Sequence, residues 1–470
     1  MIGITAFGAY VPYFRLQRKT IGEALESGGG VGEKAVAGYD EDSVSLAATA
    51  AIDCIIGVDP KTVDALYFAT TTAPYKEKQS ATTIAAALDL RKEVRTADFA
   101  GSLRAGSTAV LSALDAIKGG TMSSVLVAMA DCRLGAASSQ NETETGDGAA
   151  ALLLGSEQVV AEIEATNSVA QEMLAYWRTE DHVFTNSSED RFVDTVYQQA
   201  VVETVKGIMD KMGYTPADFS KLVLYSPKAK LVASTAKKLG FNGEQVADTL
   251  TETIGNAGVA NAVMMLVAVL EKAEPGERIM MVTFGEGCDA IILKTTEALA
   301  QLPPRKGISG YARVKNNSLQ YEKYLRWKGL LTFEPPRRTE TPRPSIPALY
   351  RGYHQNLSFY GSKCNECGTP QFPKQRICVK CQAKDRMEDY RFANEQARVT
   401  TYSVDNLAVS PSPPTIVAVV DFTGGGRMFM ELTDCEPSEV HIGMDVQPSF
   451  RRLYLAGGVY NYFWKAVPKR

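Results

Sequence analysis

The sequence predicts an α/β molecule in which two sheets sandwich buried helices, followed by a small β-rich lobe clamped by cysteines. Three observations carry this expectation. The first is an internal duplication. GVDPKTVDALYFA (57–69) aligns without gaps on GYTPADFSKLVLY (213–225), and GDGAAALLL (146–154) aligns on GEGCDAIIL (285–293). The second is a set of near-continuous apolar runs such as VLVAMA and IMMVTF, the pattern of strands covered on both faces. The third is a pair of CxxC turns near residue 370.

Each repeat reads as alternating strands and helices that end in two further strands. In the first half, strands are expected near 2–10, 64–70, 94–98, 124–130 and 148–155, with helices near 43–56, 80–90 and 103–118. In the second half, strands are expected near 158–165, 221–226, 245–248, 278–284 and 289–295, with a helix over 256–272. Segments 104–118 and 256–272 are apolar nearly all round, which requires burial, here between two sheets. Two copies make a supersecondary duplication and not a solenoid.

Composition narrows the function classes. The chain has 470 residues, 45% hydrophobic and 22% charged, with a net charge of −4. This is ordinary globular composition and excludes wholesale disorder. The acidic balance disfavours a protein that coats nucleic acid or membrane. Histidine occurs three times, at 182, 354 and 441, so a histidine mechanism has few places to draw on. The N-terminus lacks a basic start followed by an apolar core, so no signal peptide is expected. The longest apolar stretch, 256–270, is shorter than the ~20 residues of a membrane span. Four of the eight cysteines are scattered and four are clustered, which fits a reducing, cytoplasmic setting with one metal site.

Residues 303–345 carry ten Lys or Arg, Arg338 among them, against Glu322, Glu334 and Glu340, and end in the proline-rich EPPRRTETPRPSIP. This segment reads as a solvated linker, with contact to a phosphate-bearing ligand as the alternative. Beyond it, Cys364-x2-Cys367 and Cys378-x2-Cys381 form two knuckles ten residues apart. Two such turns close a tetrahedral S4 site with no open position, a structural metal site best suited to zinc, with iron as the chemical alternative. RVTTYSV, TIVAVVDF, RMFMEL and DVQPSF then alternate as short strands of an OB-like barrel. The lobe lacks a basic groove with interleaved aromatics, so nucleic acid is not the expected partner. The expected boundaries are 1–165 and 166–300 for the two halves, 301–348 for the linker, 349–395 for the ribbon and 396–470 for the barrel.

Several segments resemble one family. YDEDSVSLAATAA (39–51), FATTTAPYKEKQSAT (68–82), ADFAGSLRAGSTA (97–109), YWR (176–178) with RF (191–192), LYSPKAK (224–230) and IGNAG (254–258) are similar to hydroxymethylglutaryl-CoA synthase of the archaeal type, within the thiolase superfamily. Residues 350–470 resemble the zinc-ribbon and OB-fold domain that accompanies acyl-CoA thiolases and synthases. The resemblance implies a duplicated thiolase-like fold, a CoA thioester as substrate, C–C bond chemistry and a homodimer paired through a sheet edge. It also raises a partner acyl-CoA enzyme.

The departures are at the chemistry. The family's Cys nucleophile, which sits at a helix N-terminus, falls on Leu103, with Ser102 one residue away. Its Glu falls on Thr71 and its His on Tyr225. A covalent acyl-enzyme route is therefore not expected, because leucine is no nucleophile and Ser102 lacks a histidine in the motif map. The candidate catalytic set is Tyr225, Asn256, Thr71, Ser102, Tyr75 and Cys288. Asn256 is expected to open a helix and help hold an enolate oxygen, and Tyr225 or Tyr75 to move a proton if its pKa is lowered. Tyr225 reads equally as a core tyrosine, and Cys288 as a small buried hydrophobe. Arg104, Lys228 and Lys230 are candidates for the CoA phosphates. The expected function is aldol-type chemistry on a CoA thioester without the usual triad. The alternatives are a catalytically silent CoA-binding or scaffold subunit, and a conventional synthase that uses Ser102 or Cys288.

Overall fold

The computed structural model describes every residue except Glu180, Pro335, Pro336 and 338–341. The chain divides into two units. One comprises Met1–Ala37, Asp42–Ala85 and Leu90–Tyr321; the other comprises Gly38–Glu41, Ala86–Asp89 and Glu322–Arg470.

In the first unit the elements run β1 (Gly3–Tyr10), β2 (Phe14–Gln17), α1 (Arg18–Ala24), β3 (Glu33–Val36), α2 (Ser43–Cys54), β4 (Ala65–Ala69), α3 (Ala81–Ala87), β5 (Arg95–Phe99), α4 (Ala105–Lys118), β6 (Ser124–Asp131), α5 (Gln140–Glu144) and β7 (Gly148–Gly155). They continue as β8 (Ala161–Ala170), β9 (Tyr176–Trp177), β10 (Asn186–Ser187), α6 (Asp190–Met212), β11 (Lys221–Leu224), α7 (Lys230–Lys238), α8 (Asn261–Leu270), β12 (Arg278–Gly285), β13 (Gly287–Thr295) and α9 (Gly307–Arg313).

The duplication is visible in the sheet order, β5-β4-β6-β7-β1 followed by β8-β13-β12-β11. In each half a parallel pair (β4 with β6, β11 with β12) continues into an antiparallel neighbour (β7, β13). The halves join where Gly3 and Ile4 of β1 face Glu162 and Ala161 of β8, so the expected two sheets are hydrogen-bonded into one nine-stranded sheet. The aligned glycines Gly57 and Gly213 both hold positive φ, 82° and 70°, at the same helix-to-strand turn. Only glycine takes that conformation without steric cost, which explains why both copies carry it.

Three local expectations need correction. Residues 245–248 form no strand; Val246 makes one isolated parallel bridge to Leu222. The helix expected over 256–272 begins as a short 3₁₀ turn at Gly258–Ala260 and becomes α-helical at Asn261, so Asn256 lies before it. Of the two apolar helices, α8 is buried on nearly every side, whereas α4 exposes Thr108, Asp115 and Lys118 along one stripe. Polar residues at this spacing line one helix face and keep it wet. The N-terminus of α2 is fixed by Asp42, whose carboxylate accepts from the Val44 and Ser45 N–H groups while the Ser45 Oγ accepts from the Asp42 N–H.

The 301–348 segment is not simply a solvated linker. It holds α9, α10 (Tyr321–Trp327) and the start of α11 (Ile346–Arg351), and Ile308, Tyr324 and Trp327 are buried. Pro335, Pro336, Arg338 and Glu340 lie outside the described residues.

After α11 the second unit continues with α12 (Tyr353–Asn356), β14 (Tyr360–Cys364), β15 (Pro370–Gln371) and β16 (Met387–Arg391), a small sheet ordered β15-β14-β16. Then β17 (Ala397–Asp405), β18 (Thr415–Phe422), β19 (Arg427–Leu432), β20 (Asp445–Ala456) and β21 (Val459–Pro468) close a barrel in the order β17-β18-β19-β21-β20. Its aromatic core stacks Phe359 on Trp464 with ring centroids 5.7 Å apart, and Trp464 Nε1 donates to the Leu357 carbonyl at 2.8 Å. Beside this core lies a buried charge cluster. Arg451 pairs with Glu41 and with Asp434 (2.6 Å), and Lys465 pairs with Asp40 (3.0 Å) and Glu431 (2.6 Å). Buried charges of this kind persist only when each has a partner.

Candidate functional site

Strands β4, β5 and β6 are parallel, so their C-terminal ends open on one side of the sheet, where such sheets hold ligands. Residues leaving these ends (Thr70, Thr71, Ser102, Leu103, Arg133) meet Glu286 of the β12–β13 turn around a cavity of about 340 Å³. The cavity also reaches Tyr75, Lys76 and the 175–178 stretch. Helix α4 begins at Ala105, with Arg104 as its N-cap just after Ser102 and Leu103, so the positive end of its dipole adjoins this cavity.

One side chain that the motif reading passed over organises the floor. Asp131, the last residue of β6, is 0% exposed. Its Oδ1 accepts from the Thr71 N–H (2.7 Å) and from the Thr70 and Thr72 hydroxyls (3.0 and 3.1 Å). Its Oδ2 accepts from the Thr71 hydroxyl (2.9 Å) and the Val259 N–H (3.0 Å). Asp131 thus ties the β4 exit loop to the segment before α8. Gly258 makes the approach feasible: its φ is +58°, and a Cβ there would lie 2.3 Å from Asp131 Oδ2.

Thr71, Ser102, Leu103 and Tyr75 all line the cavity. The Ser102 hydroxyl donates to Glu286 Oε2 and accepts from the Arg104 N–H at 3.1 Å. In the sequence Glu286 is only the middle residue of a GEG turn, two residues before the candidate Cys288.

The other candidates lie elsewhere. Tyr225 is 1% exposed; its hydroxyl donates to Asn256 Oδ1 at 3.3 Å, and burial pushes it above the ordinary phenol range. It therefore stays protonated at neutral pH, contrary to the lowered pKa expected of a base. Asn256 is buried as well. Its Oδ1 also accepts from the Gly258 N–H (2.9 Å) and its Nδ2 donates to the Pro227 carbonyl (3.3 Å), so its amide is occupied by the protein. Cys288 is fully buried and burial pushes its thiol up to about 12; it does not line the cavity. Cys288 is thus a core side chain and no thiolate nucleophile.

The cations also differ from expectation. The Arg104 guanidinium donates to the Val169 carbonyl at 2.8 Å and pairs with Asp289 at 3.6 Å. Lys228 is buried between Asp190 and Asp194, 2.7 Å from each. Lys230 is exposed at the start of α7 and is not part of the cavity wall. The cations that do line the cavity are Lys76, Arg133 and Arg178. Arg178 donates to the Thr71 carbonyl, and the buried Arg133 makes one long hydrogen bond, 3.5 Å, to Thr185.

The second unit holds the metal-type site. The sulfurs of Cys364, Cys367, Cys378 and Cys381 all lie within 4.8 Å of one another, with Cys364–Cys381 at 3.6 Å and Cys367–Cys378 at 3.5 Å. Tetrahedral ligation at a Zn–S bond of about 2.3 Å needs sulfurs roughly 3.8 Å apart, which this cluster matches. The Lys380 and Cys381 N–H groups point at Cys378 Sγ (3.4 and 3.5 Å), the backbone support such a thiolate requires. Among the described residues, no helix is long and apolar enough to cross a membrane.

Comparison with known proteins agrees with this division. Residues 356–388 match the rubredoxin-like zinc ribbon domain of ChsH2, and 390–451 match its C-terminal OB-fold domain. Residues 209–294 match the C-terminal domain of 3-oxoacyl-[acyl-carrier-protein] synthase III. Among solved structures, an HMG-CoA synthase complexed with CoA aligns at a TM-score of 0.63 with 18% identity, over 69% of this chain and 89% of that one. The 3-oxoacyl-[acyl-carrier-protein] synthase III of Aquifex aeolicus aligns at 0.58 with 21% identity, over 63% and 100%. These two establish the thiolase-like fold. The hydroxymethylglutaryl-CoA synthase of Archaeoglobus fulgidus is 33% identical over 316 residues, 64% of this chain and 92% of the relative. That of Caldivirga maquilingensis is 30% identical over 345 residues, 70% of this chain and 98% of the relative. With near-complete coverage of such relatives and a matching fold, the chain belongs to the hydroxymethylglutaryl-CoA synthase family.

Proposed function

We propose that this protein acts on a CoA thioester and makes or breaks a C–C bond by aldol-type chemistry, without an acyl-enzyme at the family's usual position. The observation that carries the reading is the cavity at the head of α4, whose wall includes Leu103, the residue that the resemblance sets against the family's nucleophile. Two of the similar structures are of proteins complexed with CoA and with 3-hydroxy-3-methylglutaryl coenzyme A, which supports a CoA thioester as ligand. Lys76, Arg133 and Arg178 suit an anionic ligand in the cavity. Aldol cleavage of a 3-hydroxyacyl thioester needs no covalent intermediate. It needs a base for the hydroxyl proton and positive potential for the enolate oxygen, and the α4 terminus offers the second.

Incubation of the full chain with a panel of 3-hydroxyacyl-CoA thioesters, and with acetyl-CoA plus ketone or acyl-CoA acceptors, is expected to yield a shortened or lengthened thioester by mass spectrometry. The intact mass of the protein is expected to stay unchanged by acetyl-CoA. An acetyl adduct on Ser102 would restore a conventional synthase. CoA binding without any product would leave a silent CoA-binding or scaffold subunit, one that organises a partner acyl-CoA enzyme.

The homodimer belongs to the same reading. Strand β5 ends the sheet, and its residues are exposed or half-buried where those of β4 are all buried. Light scattering is expected to give twice the 50.9 kDa chain mass. A single-chain mass at micromolar concentration would remove the dimer.

A further inference from the structure

We infer that Glu286 is the proton-transfer group of this cavity and that Ser102 positions it. The inference rests on the proposed CoA-thioester reaction and names the acid–base group which that reaction needs.

Elimination among the lining residues leads here. The family's Glu position is Thr71, and the Thr71 hydroxyl is given to Asp131. Tyr225 and Cys288 are sealed in the core. Tyr176 lines the cavity, but burial pushes its phenol up. Among the described lining residues Glu286 is the one carboxylate. The catalytic carboxylate has therefore moved from the exit of β4 to the turn between β12 and β13.

The turn is built to present it. Glu286 stands between Gly285 and Gly287, and both glycines are held tightly against neighbours. A Cβ on Gly285 would lie 2.8 Å from Ser102 Oγ, and one on Gly287 would lie 1.9 Å from the Val169 carbonyl oxygen. Ser102 donates to Glu286 Oε2 while the Arg104 N–H holds Ser102 in turn. Among the described residues, the other carboxylate oxygen takes no hydrogen bond. Lys76, Arg133 and Arg178 are the further charged groups lining the same space.

The step balances without any added reagent. In cleavage, the Glu286 carboxylate takes the 3-hydroxyl proton, and the Cα–Cβ bond breaks. The bonding pair passes into the thioester enolate, and a ketone or aldehyde forms on the Cβ side. The Glu286 carboxylic acid then returns its proton to Cα, giving the shorter acyl-CoA. In condensation the same group removes an α-proton and returns it to the new alkoxide.

The test compares wild type, Glu286→Gln, Glu286→Asp and Ser102→Ala as full chains. It measures turnover of the thioester found with the panel, exchange of α-protons of acetyl-CoA in D2O by NMR, CoA affinity by calorimetry and the pH profile of kcat/KM. Loss of the group is expected to cut turnover and exchange by about 10²–10⁴-fold in Glu286→Gln. CoA affinity is expected to hold, and Glu286→Asp to keep part of the activity. Ser102→Ala is expected to lose less and to displace the acid limb of the profile, which a purely structural role would not do. Near-wild-type turnover in Glu286→Gln overturns the inference and leaves the proposed function standing. Parallel loss of CoA affinity overturns it in favour of a binding role. A wild type that neither turns over nor exchanges with any thioester overturns both.

Discussion

Replacing Asp131 with alanine is expected to destabilise the first unit by roughly 3–5 kcal/mol and to abolish CoA binding. Five donors converge on this carboxylate: two backbone N–H groups and three threonine hydroxyls. A hydroxyl can rotate to another acceptor, and Thr70 and Thr72 already lie 3.4 Å apart. The Thr71 and Val259 N–H groups cannot, and each orphaned buried donor costs about 1–3 kcal/mol. The effect reaches function because the same contacts fix Thr70 and Thr71 on the cavity wall. Denaturant unfolding of the full chain with calorimetry of CoA binding checks it. A loss below about 1 kcal/mol would mean that the loop finds other acceptors and that Asp131 is no anchor.

The layered part of the fold was legible because its signal is local. Strands β6, β7 and β12 announce themselves as unbroken apolar runs, and α8 as a helix with no polar face. The repeat glycines were legible because the turn they make admits no other residue cheaply. The failures share another cause. Residues 245–248 read Gln-Val-Ala-Asp, with one strand-forming side chain, and the structure gives them one bridge, from Val246 to Leu222. Lys228 read as a free cation because its partners, Asp190 and Asp194, sit one turn apart on α6 and meet it only after folding. Tyr225 reads equally as a reactive group and as a core tyrosine in the sequence, and the structure makes it the second. Its burial depends on side chains from distant segments. Asp131 and Glu286 look like ordinary acids in the sequence. Their placement comes from topology, which brings three strand ends and the β12–β13 turn to one place.

The four-cysteine site is where removal of one component is expected to have the largest effect. Residues 356–388 form a short ribbon with little apolar material of its own: β15 has two residues, and Ile377 and Val379 are exposed. A segment of this size cannot offset the entropy of ordering its backbone by burial alone. Structural zinc in comparable modules contributes about 10–16 kcal/mol of apparent folding free energy near pH 7. The ribbon is therefore expected to be unfolded without metal. Elemental analysis of the purified full chain should find one zinc per chain, and Cys378→Ser combined with Cys381→Ser should find none. Limited proteolysis should then cut the double variant, or the chelated protein, within 356–388 while the first unit stays intact. Two results decide against this. One equivalent of iron with the visible absorbance of a ferric thiolate site would replace zinc by iron. A metal-free protein whose ribbon resists protease as well as the loaded one would show that the four sulfurs are packed for some other reason. The distinction bears on the barrel too, because Phe359, near the start of the ribbon, and Phe392, just after it, both lie in the aromatic core around Trp464. Melting the ribbon would thus loosen both of its attachments to that core, and a fall in the barrel's own unfolding temperature would accompany metal loss.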